Sequence, residues 1–244
     1  MDNTTSMDHV EFTDRRSLPM MALRGLTVFP GMMLTFEVER SMSIAALNMA
    51  MSDDQIIYLV PQIDIATDIP TPEDVYGVGT VCRIKQMMKQ PGSKTVRVMA
   101  EGIERGRTLA VRTDMPCFVA EVEPMPDVAE RKTARIEALI RHCCNLFDAY
   151  VTVSGNMAPE SVITVLGSTN AGFVSNFIAQ HVFLRPEQKQ ELLEQTRPSR
   201  RLTLLSKMLL HETSVLGLQH QLEEAAQDRL NQTQQEYLLR EQMK

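Results

Sequence analysis

The sequence contains no tryptophan, and no apolar run approaches the roughly 18 residues that are needed to span a bilayer. Its first 16 residues are polar and lack the apolar segment of a secretory signal. These absences argue against a membrane-spanning or secreted protein. We therefore expect a cytoplasmic protein in which residues 1–17 form a short disordered tail.

Motifs for nucleotide binding and for hydrolytic catalysis are also missing. The sequence has no G-x-x-x-x-G-K-[ST] phosphate loop, no H-E-x-x-H pair and no G-x-S-x-G turn. Gly77 and Gly79 lie in a predicted strand, without the third glycine and the following helix of a dinucleotide site. We therefore predict no catalytic, cofactor-binding or metal-binding residue in this chain, and we interpret the chain as not itself an enzyme.

Cysteine is scarce, with four residues and no C-x-x-C pair. Cys143 and Cys144 follow His142, but consecutive residues of a helix point in different directions. Structural zinc sites use two separated pairs of ligands instead. We interpret all four cysteines as ordinary reduced residues of a cytosolic protein.

Basic residues are outnumbered, 25 against 31 acidic residues, and the net charge is −6. Nucleic-acid binding usually requires a basic surface, so this balance makes a nucleic-acid partner unlikely. A local cluster of Arg83, Lys85, Lys89 and Arg97 keeps RNA binding open as an alternative.

Residues 18–124 are rich in predicted strands. The apolar, β-branched run 55–60 is typical of a buried strand. One helix is predicted over 41–51, with Ser41 as its cap. Further short strands are predicted at 108–112 and 117–123, and together these elements favour a compact, mostly antiparallel barrel.

A long hairpin is the clearest feature of this region. A turn over 90–94, with Gln90 opposite Lys94, sets its register. That register predicts one buried face, which carries Cys82, Ile84, Met88, Val96, Val98 and Ala100. The opposite, exposed face then carries Arg83, Lys85, Met87, Arg97, Met99 and Glu101.

After residue 124 the apolar period changes from 2 to 3.6. Asp127 with Glu130 fits a capping box at the start of the first helix. An apolar stripe follows, made of Ile136, Leu139, Ile140, Cys143, Phe147 and Tyr150. Three shorter helices are predicted, one near 159–167, one carrying Phe173, Phe177 and Ile178, and one starting at Pro186.

The last helix is predicted to run from Pro198 to Lys244, about 70 Å at 1.5 Å per residue. The sequence shows no glycine, asparagine or proline stop signal near its end. We therefore expect this chain to be the front part of a longer polypeptide. The pattern as a whole predicts an α+β chain with a tail (1–17), a β domain (18–124), a helical subdomain (125–197) and a long helix (198–244).

Three segments resemble the N-terminal region of the bacterial ATP-dependent Lon protease, peptidase family S16. The first is LPMMALRGLTVFPGM over 18–32, the second is the hairpin over 78–107, and the third is EYLLREQMK over 236–244. The family often has Asp-Gly in the hairpin turn, whereas this chain has Pro-Gly-Ser. The middle of the chain matches only as a helical pattern.

The resemblance implies a PUA-like β domain, a helical bundle and a long helix leading to an ATPase and a Ser–Lys protease domain. ATP, Mg²⁺ and the catalytic residues are then expected outside this chain. The resemblance also implies a hexamer that degrades misfolded and regulatory proteins in the cytosol.

The leading hypothesis is therefore a module for substrate recognition and assembly, with unfolded or damaged proteins as partners. The chain has 17 methionines, and methionine adapts to varied apolar partners. We predict Met87 and Met99, with Met33 and Met115 nearby, as substrate-binding residues. Two alternatives remain open, a purely structural oligomerisation arm and an RNA-binding PUA-like module.

Overall fold

The computed structural model describes residues 14–89, 92, 94–155, 163 and 165–242, with side chains up to residue 229. Most of the tail predicted at 1–17 therefore lies outside the described residues. The first strand already begins at Arg16.

The described residues form six strands, five α-helices and a short 3₁₀ helix over Pro72–Asp74, and residues 163, 165 and 166 are also helical. The strands are β1 (Arg16–Leu23), β2 (Met33–Val38), β3 (Ile56–Pro61), β4 (Val78–Lys89), β5 (Val96–Arg112) and β6 (Phe118–Pro124). The helices are α1 (Ser41–Met51), α2 (Ala134–Ser154), α3 (Ala171–His181), α4 (Pro186–Glu194) and α5 (Pro198–Gln242). The separate strand predicted at 108–112 is wrong, because these residues are the second half of the 17-residue β5.

The six strands form one sheet in the order β2-β5-β4-β3-β1-β6, and β6 pairs back onto β5. This second pairing closes the sheet into a barrel. Strands β1 and β3 run parallel, and the other pairs are antiparallel. The predicted α+β class, a barrel followed by a helical bundle and a long helix, is confirmed.

Strand β5 carries two glycines that neighbouring segments approach closely. A Cβ on Gly102 would collide with the carbonyl oxygen of Phe29, and one on Gly106 would collide with the side chain of Val122. The Gly102 N–H also donates to the carbonyl of Met32 over 2.9 Å. Glycine is therefore required where β5 meets its neighbours.

Helix α1 covers one end of the barrel. Its buried residues are Ser43, Ala46, Leu47 and Ala50. The last three pack with Met21, Phe36 and Leu59 of the barrel core. The predicted cap at Ser41 is wrong, because Arg40 occupies the cap position and no side chain caps this helix.

The helical part follows its predicted apolar stripe. Helix α2 buries Ile140, Cys143, Cys144, Phe147 and Tyr150, and it ends at Gly155 in the left-handed region with φ of 63°. It begins at Ala134, where the Thr133 side chain accepts a hydrogen bond from the Ile136 N–H over 3.3 Å. The helix predicted near 159–167 lies largely outside the described residues.

The barrel and the bundle share one apolar core. Phe29, Met32 and Val78 of the barrel belong to the same buried cluster as Phe147, Ile178 and the leucines of α5. Two hydrogen bonds cross the same boundary: the Phe29 N–H donates to Gln180 Oε1 over 3.2 Å, and Gln190 Nε2 donates to the Val78 carbonyl over 3.0 Å.

Candidate functional site

The predicted hairpin register holds only in the middle of the hairpin, between a first register shift at Val81/Cys82 and a second at Ile84/Gln86. Cys82 lies opposite Gly102 and Ile84 opposite Ala100, as predicted. A bulge between Ile84 and Gln86 then shifts the pairing by one residue. Because side chains alternate along a strand, this shift exchanges the faces of the two methionines that follow.

Met87 and Met88 consequently lie on the faces opposite to those predicted. Met87 pairs with the buried Val98 and packs against the barrel core. Met88 pairs with Arg97 and is 46% exposed. The prediction that Met87 faces outward and Met88 inward is therefore wrong.

Three methionines share the outer face of β2, β5 and β4. Met33 pairs with Glu101, Met99 lies between Thr35 and Gln86, and Met88 pairs with Arg97. Met33 is 54% exposed, and Met99 is half-buried. We call Met33, Met88 and Met99 the methionine face; two of its members were predicted from the sequence.

Charged pairs surround the methionine face. Arg97 donates to Glu37 over 2.7 Å, and Lys85 contacts Glu101 over 2.7 Å. Two members of the basic hairpin cluster are thus paired with carboxylates, which leaves less free positive charge for phosphate groups. This arrangement disfavours the RNA-binding alternative.

Met115 does not join the methionine face. It is 43% exposed in the loop between β5 and β6, whereas Met99 lies in the half of β5 that pairs with β2. The neighbouring Cys117 Sγ contacts Met49 Sδ of α1 at 3.9 Å. The structure therefore brings together Met33 and Met99, adds Met88, and separates Met87 and Met115 from them.

A second feature is a groove that runs along β1. Residues 20–24 line two adjacent cavities, of about 300 Å³ and about 270 Å³, which we call the β1 groove. The larger cavity is lined mainly by apolar side chains, including Met20, Met42, Ile69, Pro70 and Phe118. The smaller cavity is lined on its far side by residues 36–40 at the end of β2.

Two arginines line the β1 groove: Arg40 lines both cavities, and Arg24 lines the smaller one. Arg24 donates to Asp68 over 2.6 Å, and Arg40 donates to Gln62 Oε1 over 2.8 Å and to the Thr67 carbonyl over 3.4 Å. Desolvation by burial lowers the pKa of Arg40, the nearby Arg24 guanidinium lowers it further, and Asp68 opposes both effects. Sequence reasoning missed this groove, because its residues come from four separate segments.

A third feature is a buried polar cluster where the barrel meets the bundle. Asp127 accepts hydrogen bonds from Arg105 of β5 over 2.9 Å and from Arg201 of α5 over 2.6 and 2.9 Å. The two arginine side chains are 3% and 0% exposed. We call Arg105, Asp127 and Arg201 the arginine seam.

The two guanidiniums of the seam also donate hydrogen bonds to acceptors on the neighbouring helices and loops. Arg105 also donates to the Leu193 carbonyl over 2.7 Å and to Asn176 Oδ1 over 2.6 Å. Arg201 also donates to Ser175 Oγ over 2.8 Å and to the Gln195 carbonyl over 2.7 Å. Burial lowers the pKa of Arg105, Arg201 lowers it further, and Asp127 raises it.

The predicted capping box of Asp127 and Glu130 is therefore wrong. Asp127 binds the two arginines, and Glu130 accepts hydrogen bonds from the Ser199 N–H over 2.8 Å and from its hydroxyl over 2.6 Å. Both carboxylates tie the segment before α2 to α5 and the barrel. A capping box and such a tertiary anchor have the same local sequence, so the sequence held no signal that separates them.

The cysteines give no sign of a reactive thiol. All four are buried and unbridged, and burial raises the pKa of Cys143 to about 12. A thiol with a raised pKa is protonated at neutral pH and is a poor nucleophile or metal ligand. Within the described residues, no group of three or more His, Cys, Asp or Glu side chains is placed to hold a metal ion. None of the described helices is long and apolar enough to cross a membrane.

Comparison with known proteins gives concordant results. Residues 17–211 match the family model of the ATP-dependent protease La (LON) substrate-binding domain. The Lon protease of Clostridioides difficile (strain 630) is 36% identical over 246 residues, covering 99% of this chain and 30% of that protein. The Lon protease of Syntrophomonas wolfei is 38% identical over 229 residues, covering 94% of this chain and 28% of that protein.

Two solved structures have the same fold. The N-terminal domain of Mycobacterium avium complex Lon protease superimposes with a TM-score of 0.64 at 20% identity, over 82% of this chain and 98% of that chain. A Lon N-terminal domain protein from Xanthomonas campestris gives 0.55 at 18% identity, over 78% of this chain and 96% of that chain. The chain spans about 30% of the length of its curated relatives, and it belongs to the family of Lon protease substrate-binding domains.

Proposed function

We propose that this chain recognises unfolded or damaged proteins for an ATP-dependent Lon-type protease that degrades misfolded and regulatory proteins in the cytoplasm. The match of residues 17–211 to a substrate-binding domain is the observation that carries this proposal. ATP, Mg²⁺ and the catalytic residues then act in other parts of the protease. The chain itself supplies binding and no chemical step.

The methionine face is the surface that we propose for this recognition. Met33 and Met88 are about half exposed, so apolar area is available without unfolding the barrel. Methionine is unbranched and polarisable, and it therefore adapts to side chains of different shapes. A protease that selects unfolded chains needs such adaptability, since its substrates share no sequence.

A triple replacement tests this surface. Met33→Ser, Met88→Ser and Met99→Ser together should weaken binding of an unfolded model protein severalfold. The reason is that the exposed apolar area of the three side chains, which a bound protein would cover, is lost. Fluorescence anisotropy measures binding of the unfolded model protein, and binding of the folded form of that model protein serves as the reference. The melting temperature should stay nearly constant, because Met33 and Met88 are half exposed and Met99 is half-buried outside the barrel interior.

Met115→Ser is the matched control. Met115 is exposed to a similar degree, but it lies in the loop between β5 and β6. Equal weakening in the triple variant and the control would contradict a dedicated methionine face. A triple variant that binds like the parent chain would contradict it as well.

The structural alternative rests on helix α5. Leu210, Leu218 and Leu222 are 59%, 60% and 72% exposed, so this helix continues as an apolar surface beyond the bundle. We propose that this part contributes to self-association, and that the whole protease is a hexamer. In this alternative the helix, rather than the barrel, carries the main role of the chain.

Truncation separates the two roles if the cut spares the bundle. A cut before α5 would remove Arg201, Leu205 and Leu209, which are fully buried. A cut after residue 217 keeps them, and it also keeps Leu216, which packs against the bundle core. We expect this shorter chain to melt as the parent does and to bind unfolded protein, while it sediments as a smaller species. If the shorter chain loses both substrate binding and self-association, the structural alternative is favoured.

A further inference from the structure

The three members of the methionine face form one diagonal stripe across three adjacent strands. Met33 of β2 lies opposite Glu101 of β5, and Met99 lies two residues before Glu101 on the same strand. Met88 of β4 lies opposite Arg97 of β5, and Met99 lies two residues after Arg97. Diagonal neighbours on one face of a sheet are about 7–8 Å apart. The three thioethers are therefore neighbours, and a chemical change in them alters one continuous surface.

Solvent reaches this stripe but does not reach the methionines of the core. Met33 and Met88 are 54% and 46% exposed, and Met99 is half-buried. Four other methionines are at most 7% exposed, namely Met20, Met21, Met32 and Met208. An oxidant must reach the sulfur atom to react with it, so the stripe is reactive under conditions in which the core is protected.

The thiols of the chain do not compete for such an oxidant. All four cysteines are buried. Burial raises the pKa of each of these thiols above its ordinary value of 9.0. The thiolate is the form of cysteine that oxidants attack, and a buried thiol with a raised pKa supplies little of it. The accessible sulfur on this face therefore belongs to methionine.

The neighbours of the stripe are able to hold a sulfoxide on the folded sheet. Met99 lies between Thr35 and Gln86, whose hydroxyl and amide groups donate hydrogen bonds. Met88 lies opposite Arg97, whose guanidinium carries several N–H donors. An oxygen atom added to either sulfur thus has donors beside it as well as water. We therefore expect the oxidised chain to keep its fold.

Oxidation reverses the character of the stripe. A thioether is apolar and adapts to varied apolar partners. A sulfoxide is polar, and covering it with an apolar segment costs free energy, because that segment offers no hydrogen bond in place of the lost water. Since the three side chains are neighbours, each oxidation weakens the same contact.

We propose that the methionine face is a reversible oxidation site, at which hydrogen peroxide converts Met33, Met88 and Met99 to sulfoxides and thereby weakens binding of unfolded protein. This inference rests on the proposed function, since it describes the regulation of that surface. In the forward step the sulfur attacks one oxygen of the peroxide. An S–O bond forms, the O–O bond breaks, and the other oxygen leaves as water. The sulfur is oxidised, and the peroxide is reduced by the same electron pair.

A thiol-dependent methionine sulfoxide reductase supplies the reverse step. Two thiols are oxidised to a disulfide, the sulfoxide oxygen leaves as water, and the thioether is restored. The two epimers of the sulfoxide require different reductases. Recovery of binding after treatment with both enzymes therefore distinguishes a sulfoxide from irreversible damage.

Mild peroxide treatment of the 244-residue chain tests the proposal. Catalase removes the peroxide before a fluorescent unfolded model protein is added, so that only the chain is oxidised. Peptide mass spectrometry locates the added oxygen, and we expect Met33 and Met88 to react first and Met99 more slowly. Binding should weaken severalfold while the melting temperature stays nearly constant. Both reductases with a dithiol should restore binding.

Two sets of leucine variants assign the effect to the stripe. Leucine is apolar and similar in volume to methionine, but it has no sulfur. Met33→Leu, Met88→Leu and Met99→Leu together should retain binding and remove its sensitivity to peroxide. Met51→Leu with Met115→Leu is the matched control, at residues that are 37% and 43% exposed. This control should remain as sensitive to peroxide as the parent chain.

Four outcomes would overturn the oxidation site: Met33 and Met88 that stay unoxidised, a triple leucine variant that loses binding on treatment, a control that resists treatment, or a large fall in melting temperature. If both methionines are oxidised and the parent chain still binds unfolded protein as before, the oxidation proposal fails and the proposed function stands. If the untreated parent chain binds no unfolded protein, the proposed function itself fails.

Discussion

The arginine seam and the methionine face both contain ion pairs of similar length, but in different surroundings. In the seam, Asp127 meets two arginines over 2.6 to 2.9 Å, and both guanidiniums are almost completely buried. On the methionine face, Arg97 meets Glu37 over 2.7 Å with about half of each side chain exposed. Burial therefore decides what each pair does: the seam fixes the barrel against the bundle, whereas the exposed surface pairs contribute little to stability.

The largest effect that separates these regions is expected from Asp127→Asn. The change removes the carboxylate and leaves two buried guanidiniums without a counter-charge, which costs about 3–5 kcal/mol of the free energy of unfolding. Urea unfolding measures this loss. Glu37→Gln is the control, and it should cost less than about 1 kcal/mol, because water screens an exposed pair. Similar losses for both variants would remove the distinction between the seam and the surface.

A smaller effect is expected from two glycines, one in a tightly packed and one in an open environment. Gly102→Ala places a Cβ against the Phe29 carbonyl where barrel and bundle meet, and overpacking of this kind typically costs about 1–3 kcal/mol. Gly217→Ala in the exposed part of α5 meets nothing within 4 Å and should stabilise the helix by about 1 kcal/mol. Thermal unfolding of both variants should therefore shift in opposite directions. If Gly102→Ala raised the melting temperature instead, β5 would be able to shift away from the Phe29 carbonyl without cost.

An effect that appears only at high pH concerns Tyr58, which joins β3 to β4 and β5 inside the barrel. Its hydroxyl donates to the Gly106 carbonyl and accepts the Gly79 N–H, each over 2.8 Å. Burial raises the pKa of Tyr58 to about 12 from an ordinary value of 10.0. The unfolded chain therefore loses this proton first, so stability that is complete below pH 10 falls as the pH rises towards 12.

Measurement of unfolding free energy between pH 9 and about 12 tests this linkage. The contribution of one such group is of the order of 2 kcal/mol. In Tyr58→Phe the stability is lower at every pH, because the Gly79 N–H loses its acceptor, and the decline above pH 10 becomes shallower. A decline of equal slope in both proteins would assign it to other groups.

Local sequence patterns predicted the helices and strands well. They failed where residues distant in the sequence determine the strand register and the direction of a side chain. The helix at 41–51, the apolar stripe of α2 and the start of α5 at Pro198 each follow from a regular period or a proline, and the structure has them. Met87 and Met88 were exchanged because a bulge near Lys85 depends on cross-strand pairing. No spacing in the sequence marks such a bulge.

The candidate sites were harder to predict than the fold for the same reason. Met99 was identified because methionine on an exposed sheet face is unusual, whereas Met33 was added only as a nearby methionine; the same argument placed Met87 on the wrong face. Arg105 and Arg201 carry no local signal, since an arginine in a strand or helix is ordinarily solvated. Asp127, Arg105 and Arg201 come together only when barrel, linker and bundle are assembled, and the β1 groove likewise exists only in the closed topology.

The arginine seam also fixes the first turns of α5, so that a small tilt there is magnified along the helix. Arg201 and Leu209 are fully buried, so the first turns of the helix are clamped to the barrel and bundle. The helix continues to Gln242, about 50 Å beyond Leu209 at 1.5 Å per residue. A tilt of only about 5° at the clamp displaces the far end by about 4 Å at that length. A small tilt at these buried residues is therefore magnified into an ångström-scale displacement near Gln242.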